Sequence, residues 1–207
     1  MRQDTLPITH FEQLYARRPD PWSLDASDYE RSKYAATLAA LERPRYGQAL
    51  EIGCANGVFT ALLAERCDRL LAVEPVEAAL AQARRRNQAR PWVSFASLFV
   101  PGQWPVGRFD LILISEVLDY LGEPDLAVLA ERVSDALDPG GDLVLVHWVG
   151  KRRGRPRIEE ASDRLIAVAG PRFAVKRSDR SADYRLDVLR RGTPSSASAG
   201  EGVAAKP

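Results

Sequence analysis

The sequence predicts a doubly wound α/β fold: a mostly parallel, seven-stranded sheet with helices on both faces. Three observations predict it. The apolar run Ala49-Leu50-Glu51-Ile52 breaks into a turn of small residues, Gly53, Ala55 and Gly57, and a helical pattern follows. A second apolar run, Leu70 to Val73, ends in the carboxylate of Glu74. Two later runs, Phe109 to Ile114 and Asp142 to Trp148, are almost wholly apolar, which marks strands buried on both faces of a parallel sheet. Strands that alternate with helices imply crossover connections and therefore parallel pairing.

The elements follow in order. Phe11 to Tyr15 reads as a short helix, and Asp20 to Asp25 as a turn-rich segment carrying Trp22. Tyr29 to Leu41 is helical, with Tyr29, Tyr34, Leu38 and Leu41 as expected core contacts, Arg31 and Lys33 as polar neighbours and Pro44 as the stop. After the first strand, Val58 to Cys67 is a helix with Phe59, Leu62, Leu63 and Cys67 on its apolar stripe. Val76 to Asn87 is an alanine-rich helix whose last turn holds Arg84, Arg85 and Arg86, where cations suit the helix dipole. Trp92 to Phe95 is a short strand. Pro124 to Leu137 is a helix with Leu126, Leu129, Val133 and Leu137 on one stripe, stopped by Asp138-Pro139-Gly140-Gly141. Lys151 to Arg157 is a basic loop, Glu159 to Val168 a last helix, and Phe173–Lys176 and Tyr184–Leu189 two closing strands. The expected organisation is a helical cover over 1–44, the α/β domain over 45–191 and a disordered tail over 192–207, where almost no large apolar residue occurs.

Composition narrows the partners. The chain has 207 residues, is 45% hydrophobic and carries a net charge of +1, so it suits one α/β domain and argues against a polyanionic partner. Neither an apolar leader nor a run long enough for a membrane span is present, so the expectation is a cytoplasmic protein without membrane contact. Cys54 and Cys67 give no disulfide framework, and His10 and His147 are too few for an ordinary zinc site.

The turn at 53–57 departs from the dinucleotide pattern. The residue three past Ala55 is Val58 rather than glycine, and no Lys-Ser or Lys-Thr pair follows as in a phosphate loop. A ligand with a ribose but no phosphate fits better. Glu74, at the end of the second strand, can accept both ribose hydroxyls, and Glu51 can help to hold a cationic amino group.

Glu51-x-Gly53-x-Ala55-x-Gly57, Glu74, Phe109-Asp110-Leu111-Ile112 and Leu137-Asp138-Pro139-Gly140-Gly141, in this order, resemble a class I S-adenosylmethionine-dependent methyltransferase. Three further stretches narrow the resemblance: Asp20-Pro21-Trp22-x-Leu24-Asp25 with Tyr29-Glu30-Arg31, Leu50 to Ala55, and Ser115-Glu116-Val117-Leu118-x-Tyr120-Leu121. These resemble the nodulation methyltransferase NodS family, whose members N-methylate the free amine of a deacetylated chitin-type oligosaccharide. The resemblance implies S-adenosyl-L-methionine as cofactor and a small amine or saccharide as acceptor. It implies cofactor contacts from Trp22 and Arg31 in the N-terminal cover. In the turn and strand ends it implies Glu51, Gly53, Cys54, Ala55, Gly57, Glu74, Pro75, Ser97, Leu98, Ser115 and Glu116. Tyr120 then lies at the acceptor.

Two departures stand out. Phe99 occupies the place where the family has an Asp for the adenine amino group, so Ser97 and Leu98 are expected to contact adenine through backbone. The family's paired tyrosines are Asp119-Tyr120 here. An amine acceptor has to lose a proton, and Glu116, Asp119 and His147 all fall near the expected carboxyl ends of strands four and five. Glu116 ranks first by motif and His147 second by chemistry; Asp119 reads first as solvated. His147 reads more readily as a satisfied core histidine than as a functional one. Two other functions remain open: an O-methyltransferase of a secondary metabolite, and a nucleic-acid-binding protein that uses the basic loop 151–157.

Overall fold

The computed structural model describes residues 4–149 and 158–193, and the side chains of all of these except 158 and 159. The expected basic loop and all but the first two residues of the expected tail lie outside the described residues. The chain order is α1 (Ile8–Arg17), α2 (Asp28–Ala40), β1 (Ala49–Ile52), α3 (Val58–Leu63), β2 (Leu70–Val73), α4 (Glu77–Arg86), β3 (Val93–Ala96), β4 (Phe109–Ser115), α5 (Glu123–Ala136), β5 (Leu137–Trp148), α6 (Ile158–Ala169), β6 (Phe173–Arg180) and β7 (Tyr184–Arg191). Seven strands form one sheet in the order β3-β2-β1-β4-β5-β7-β6. β1 to β5 are parallel, and β7 runs antiparallel to both of its neighbours.

Side-chain alternation explains why the central strands lack a polar face. On β4, Ile112 and Ile114 belong to the core beneath α5 and α6, with Leu129, Val133, Leu143 and Leu165. Leu111 and Leu113 belong to the opposite core, with Tyr34, Phe59, Leu63, Val144 and Val146 beneath α2 and α3. Both faces of β4 are therefore covered, as its uninterrupted apolar run predicts.

Two expected boundaries shift. The helix predicted over 58–67 ends at Leu63 and tightens into a 3-10 turn over Ala64–Arg66, so Cys67 is buried but Leu62 turns outward. The Asp138–Gly141 stretch ends α5 as predicted, yet it lies within β5 rather than before it. Leu137 already pairs with Phe109, and the register then jumps so that Leu111 meets Asp142. The turn residues form an irregularity in the ladder.

The strand order reverses between β1 and β4. Such a point opens a crevice at the carboxyl ends of the parallel strands. At the opposite, amino-terminal ends of these two strands Asp110 ties β4 to the entry of β1: its carboxylate accepts the N–H groups of Gly47 (2.8 Å) and Gln48 (2.9 Å).

Candidate active site

A cavity of about 450 Å³ occupies that crevice. Five parallel strands each deliver residues at or just past their carboxyl ends: Gly53 to Ala55 after β1, Glu74 and Pro75 after β2, Leu98 and Phe99 after β3, Ser115 and Glu116 at β4, and Trp148 at β5. A second wall is N-terminal. Leu6, Phe11, Trp22, Tyr29, Glu30 and Tyr34 line it. This wall is tied down by local chemistry. The Leu6 N–H donates to the Tyr120 carbonyl (2.9 Å), and Phe11 packs edge-on against the Tyr120 ring at 4.9 Å. Trp22 meets Tyr15 edge-on at 5.5 Å, in a cluster with Val76 and Ala79 of the α4 entry.

The turn after β1 is shaped for close approach. Gly53 has φ +84°, and a Cβ there would stand 2.6 Å from Val117 Cγ2 and 2.9 Å from the Ser115 carbonyl. Ala55, not a glycine, also takes left-handed backbone at φ 49°. Such conformations cost on the order of 1 kcal/mol or more and persist where surrounding contacts fix them. Here the Ala55 N–H donates to Glu74 Oε2 (3.2 Å) and the Val76 N–H to Glu74 Oε1 (3.1 Å). Glu74 thus lies across the turn with its carboxylate oriented by two backbone donors. Burial outweighs those donors and pushes its pKa up to about 7. Glu51, under the same turn, is pushed up to about 7 by burial, opposed by the Thr60 hydroxyl. Its Oε2 has no hydrogen-bond partner among the described residues. An acceptor oriented across a turn and a second one left open beside it suit a ligand with vicinal hydroxyls and an ammonium group.

Of the residues singled out from the sequence, Trp22, Glu51, Gly53, Cys54, Ala55, Glu74, Pro75, Leu98, Ser115, Glu116 and Tyr120 come together around the cavity. Five do not line it. Arg31 sits on the outer face of α2, paired with Asp28 and 56% exposed. Gly57 stands behind the turn as the N-cap of α3, where a Cβ would meet Ala83 Cα at 2.7 Å. Ser97 donates its hydroxyl to the Pro75 carbonyl (3.2 Å), joining the ends of β2 and β3. His147 is 1% exposed. Strand alternation puts it with Leu143 and Leu145 on the face covered by α5 and α6, so its core reading holds and it does not reach the cavity. Asp119 is not solvated, as first read, but buried in the 3-10 turn Leu118–Tyr120, because that turn folds under the N-terminal wall.

The sequence reading missed Lys33 and Glu30. α2 buries Glu30, Lys33, Tyr34, Thr37 and Ala40, a single helical face that includes two charges. Lys33 is 1% exposed; its ammonium donates to Glu30 Oε1 (3.0 Å) and to Glu116 Oε1, and sits 5.0 Å over the Tyr29 ring. Glu116 has left-handed backbone, φ 57°, and its carboxylate also accepts the Trp148 N–H at 3.0 and 3.1 Å. The spacing of Glu30 and Lys33 on the apolar face of Tyr34 and Thr37 was the available signal.

Comparison with known proteins places this arrangement. The profile of Nodulation protein S (NodS) matches residues 11–146. The chain belongs to the NodS family. Over 127 residues it is 37% identical to Nodulation protein S of Rhizobium tropici, a match covering 60% of this chain and 53% of that one. The crystal structure of the N-methyltransferase NodS from Bradyrhizobium japonicum WM9 in complex with S-adenosyl-L-homocysteine superposes with a TM-score of 0.77 at 28% identity, covering 88% of this chain and 97% of that one. A trans-aconitate 2-methyltransferase of Acidovorax ebreus is 32% identical over 129 residues, covering 61% of this chain and 48% of that one. The chain spans about half the length of these curated relatives.

Proposed function

We propose that this chain is an S-adenosylmethionine-dependent N-methyltransferase whose acceptor is a free amine on an amino sugar, an oligosaccharide or a similar small molecule. One observation carries the reading: a buried carboxylate, Glu74, lies across a small-residue turn at the switch point of the sheet, with a second buried acceptor, Glu51 Oε2, under the same turn. The NodS relatives, one of them an N-methyltransferase in complex with S-adenosyl-L-homocysteine, support it.

S-adenosylmethionine, when bound, supplies a methyl group on a cationic sulfur. The remaining work falls to this chain. Glu74 would accept hydrogen bonds from the ribose hydroxyls, and Glu51 would hold the amino group of the methionine portion. The backbone of Gly53, Cys54 and Ala55 approaches closely because only small residues fit there. Pro75, Leu98 and Phe99 offer an apolar slot for adenine, with Phe99 replacing a polar contact by packing. Trp22 and the N-terminal wall exclude water, and alignment of the reacting atoms supplies most of the acceleration. Glu116 takes the proton that the acceptor amine must lose, a contribution of roughly 10²–10⁴-fold in general acid–base catalysis. Ser115 and Tyr120 flank it.

The test incubates the protein with S-adenosylmethionine and a deacetylated chitin tetramer and follows product by mass and NMR. An N-methyl signal is expected, and Glu116→Gln is expected to lower kcat by about 10²-fold. Full activity in Glu116→Gln removes Glu116 from the chemistry. A second reading, transfer to oxygen, is supported by the likeness to a trans-aconitate 2-methyltransferase; an O-methyl signal on a carboxylate or hydroxyl acceptor would establish it.

A further inference from the structure

We infer that Lys33 is a positioning residue that fixes the carboxylate of Glu116 at the acceptor side of the cavity, an inference that rests on the amine-methylating reading above. Lys33 reaches the site from α2, and Glu116 from the end of β4. Their ion pair therefore fastens the N-terminal wall to the sheet. Three contacts hold the Glu116 carboxylate: the Lys33 ammonium and the Trp148 N–H, which meets both oxygens. Glu30 anchors the ammonium from one turn earlier on the same helix face, and the Tyr29 ring caps it.

Burying a lysine is costly unless it is fully paired, and hydrophobic residues of similar volume often replace such pairs without loss of stability. A lysine kept at 1% exposure between two carboxylates that both line the cavity, one of them on left-handed backbone, is placed for geometry. The charge count gives it a second consequence. Glu30 and Glu116 carry two negative charges and Lys33 one positive, so the cluster bears one net negative charge beside the cavity. That suits an acceptor arriving as an ammonium and disfavours a carboxylate acceptor.

Four proteins test the inference: wild type, Lys33→Met, Glu30→Gln and Lys33→Met/Glu30→Gln. Heat of binding of S-adenosylhomocysteine is measured in all four, so that kcat is compared with the cofactor site saturated in each. With a deacetylated chitin tetramer as acceptor, Lys33→Met is expected to lower kcat by at least about tenfold while KM changes less, the mark of lost alignment. The double variant restores the charge balance, so its melting temperature is expected to recover while kcat stays low. Recovery of kcat in the double variant overturns the inference, because charge balance alone would then suffice. Crystal structures of wild type and Lys33→Met read the carboxylate position independently of turnover. Departure of the Glu116 carboxylate from the Trp148 N–H supports positioning, and an unmoved Glu116 overturns it. Absence of S-adenosylhomocysteine binding by wild type would instead defeat the methyltransferase reading, and the crystal comparison would still decide the role of Lys33.

Discussion

Glu51 and Glu74 are the two carboxylates on which the nucleoside reading rests, and burial raises both from an ordinary value of 4.5 to about 7. The consequence for stability has a definite sign. A folded pKa above the unfolded one means that the folded chain holds the extra proton. The stabilising contribution is complete below about pH 4.5 and is lost as pH rises through about 7. For Glu51 the full loss is about 3 kcal/mol. Glu51→Gln removes the titration. Its melting temperature relative to wild type is therefore expected to be higher at pH 8 than at pH 5, and an equal difference at both pH values would contradict the role given to burial. Ligand affinity follows the same groups. If the bound nucleoside requires both carboxylates ionised, affinity for S-adenosylhomocysteine rises from pH 6 to pH 8, by up to about tenfold for each carboxylate. Calorimetry at the two pH values checks this. The neighbouring Tyr15 phenol and Cys54 thiol are both pushed up by burial and so stay neutral across this window.

The β1–turn–α3 unit depends on one close approach. Gly57 begins α3 with φ +77°, and a Cβ there would press on Ala83 Cα (2.7 Å) and Asn87 Nδ2 (2.9 Å) of the α4 region. Gly57→Ala is expected to destabilise the chain by roughly 1–3 kcal/mol, read by urea denaturation, because backbone strain adds to overpacking. An unchanged midpoint would show that α4 gives way freely. This unit was legible in the sequence because its signals are local: apolar run, small-residue turn and strand-end acid all fall within 49–74. The α2 face was not. Glu30 and Lys33 look like surface residues; Lys33 is buried against Glu116, 83 residues along the chain, and Glu30 pairs with it from the same helix face. Arg31 was misplaced for the converse reason. A motif position does not say which side of a helix faces the cavity, and α2 turns Lys33 inward and Arg31 to solvent.

At the scale of the molecule, the alternation of buried runs and helical patterns prescribed the parallel sheet, and the two closing strands add β7 and β6 beyond β5. What the pattern left open was the N-terminal wall, whose position follows from Leu6, Phe11 and Trp22 meeting residues 75–121 across the crevice. That wall narrows the open crevice at the strand ends into a pocket, so Trp22→Ala is expected to weaken nucleoside binding with little change in secondary structure, checked by calorimetry beside circular dichroism. The central claim is that Glu74 and the turn facing it form a nucleoside site. Titration calorimetry of S-adenosylhomocysteine into wild type and Glu74→Ala tests it most directly. Saturable one-site binding is expected for wild type, with a loss of about 100-fold or more in a folded Glu74→Ala, since one side chain supplies two charge-assisted acceptors to the ribose. Equal affinity in the two proteins, or no heat from wild type, would contradict it.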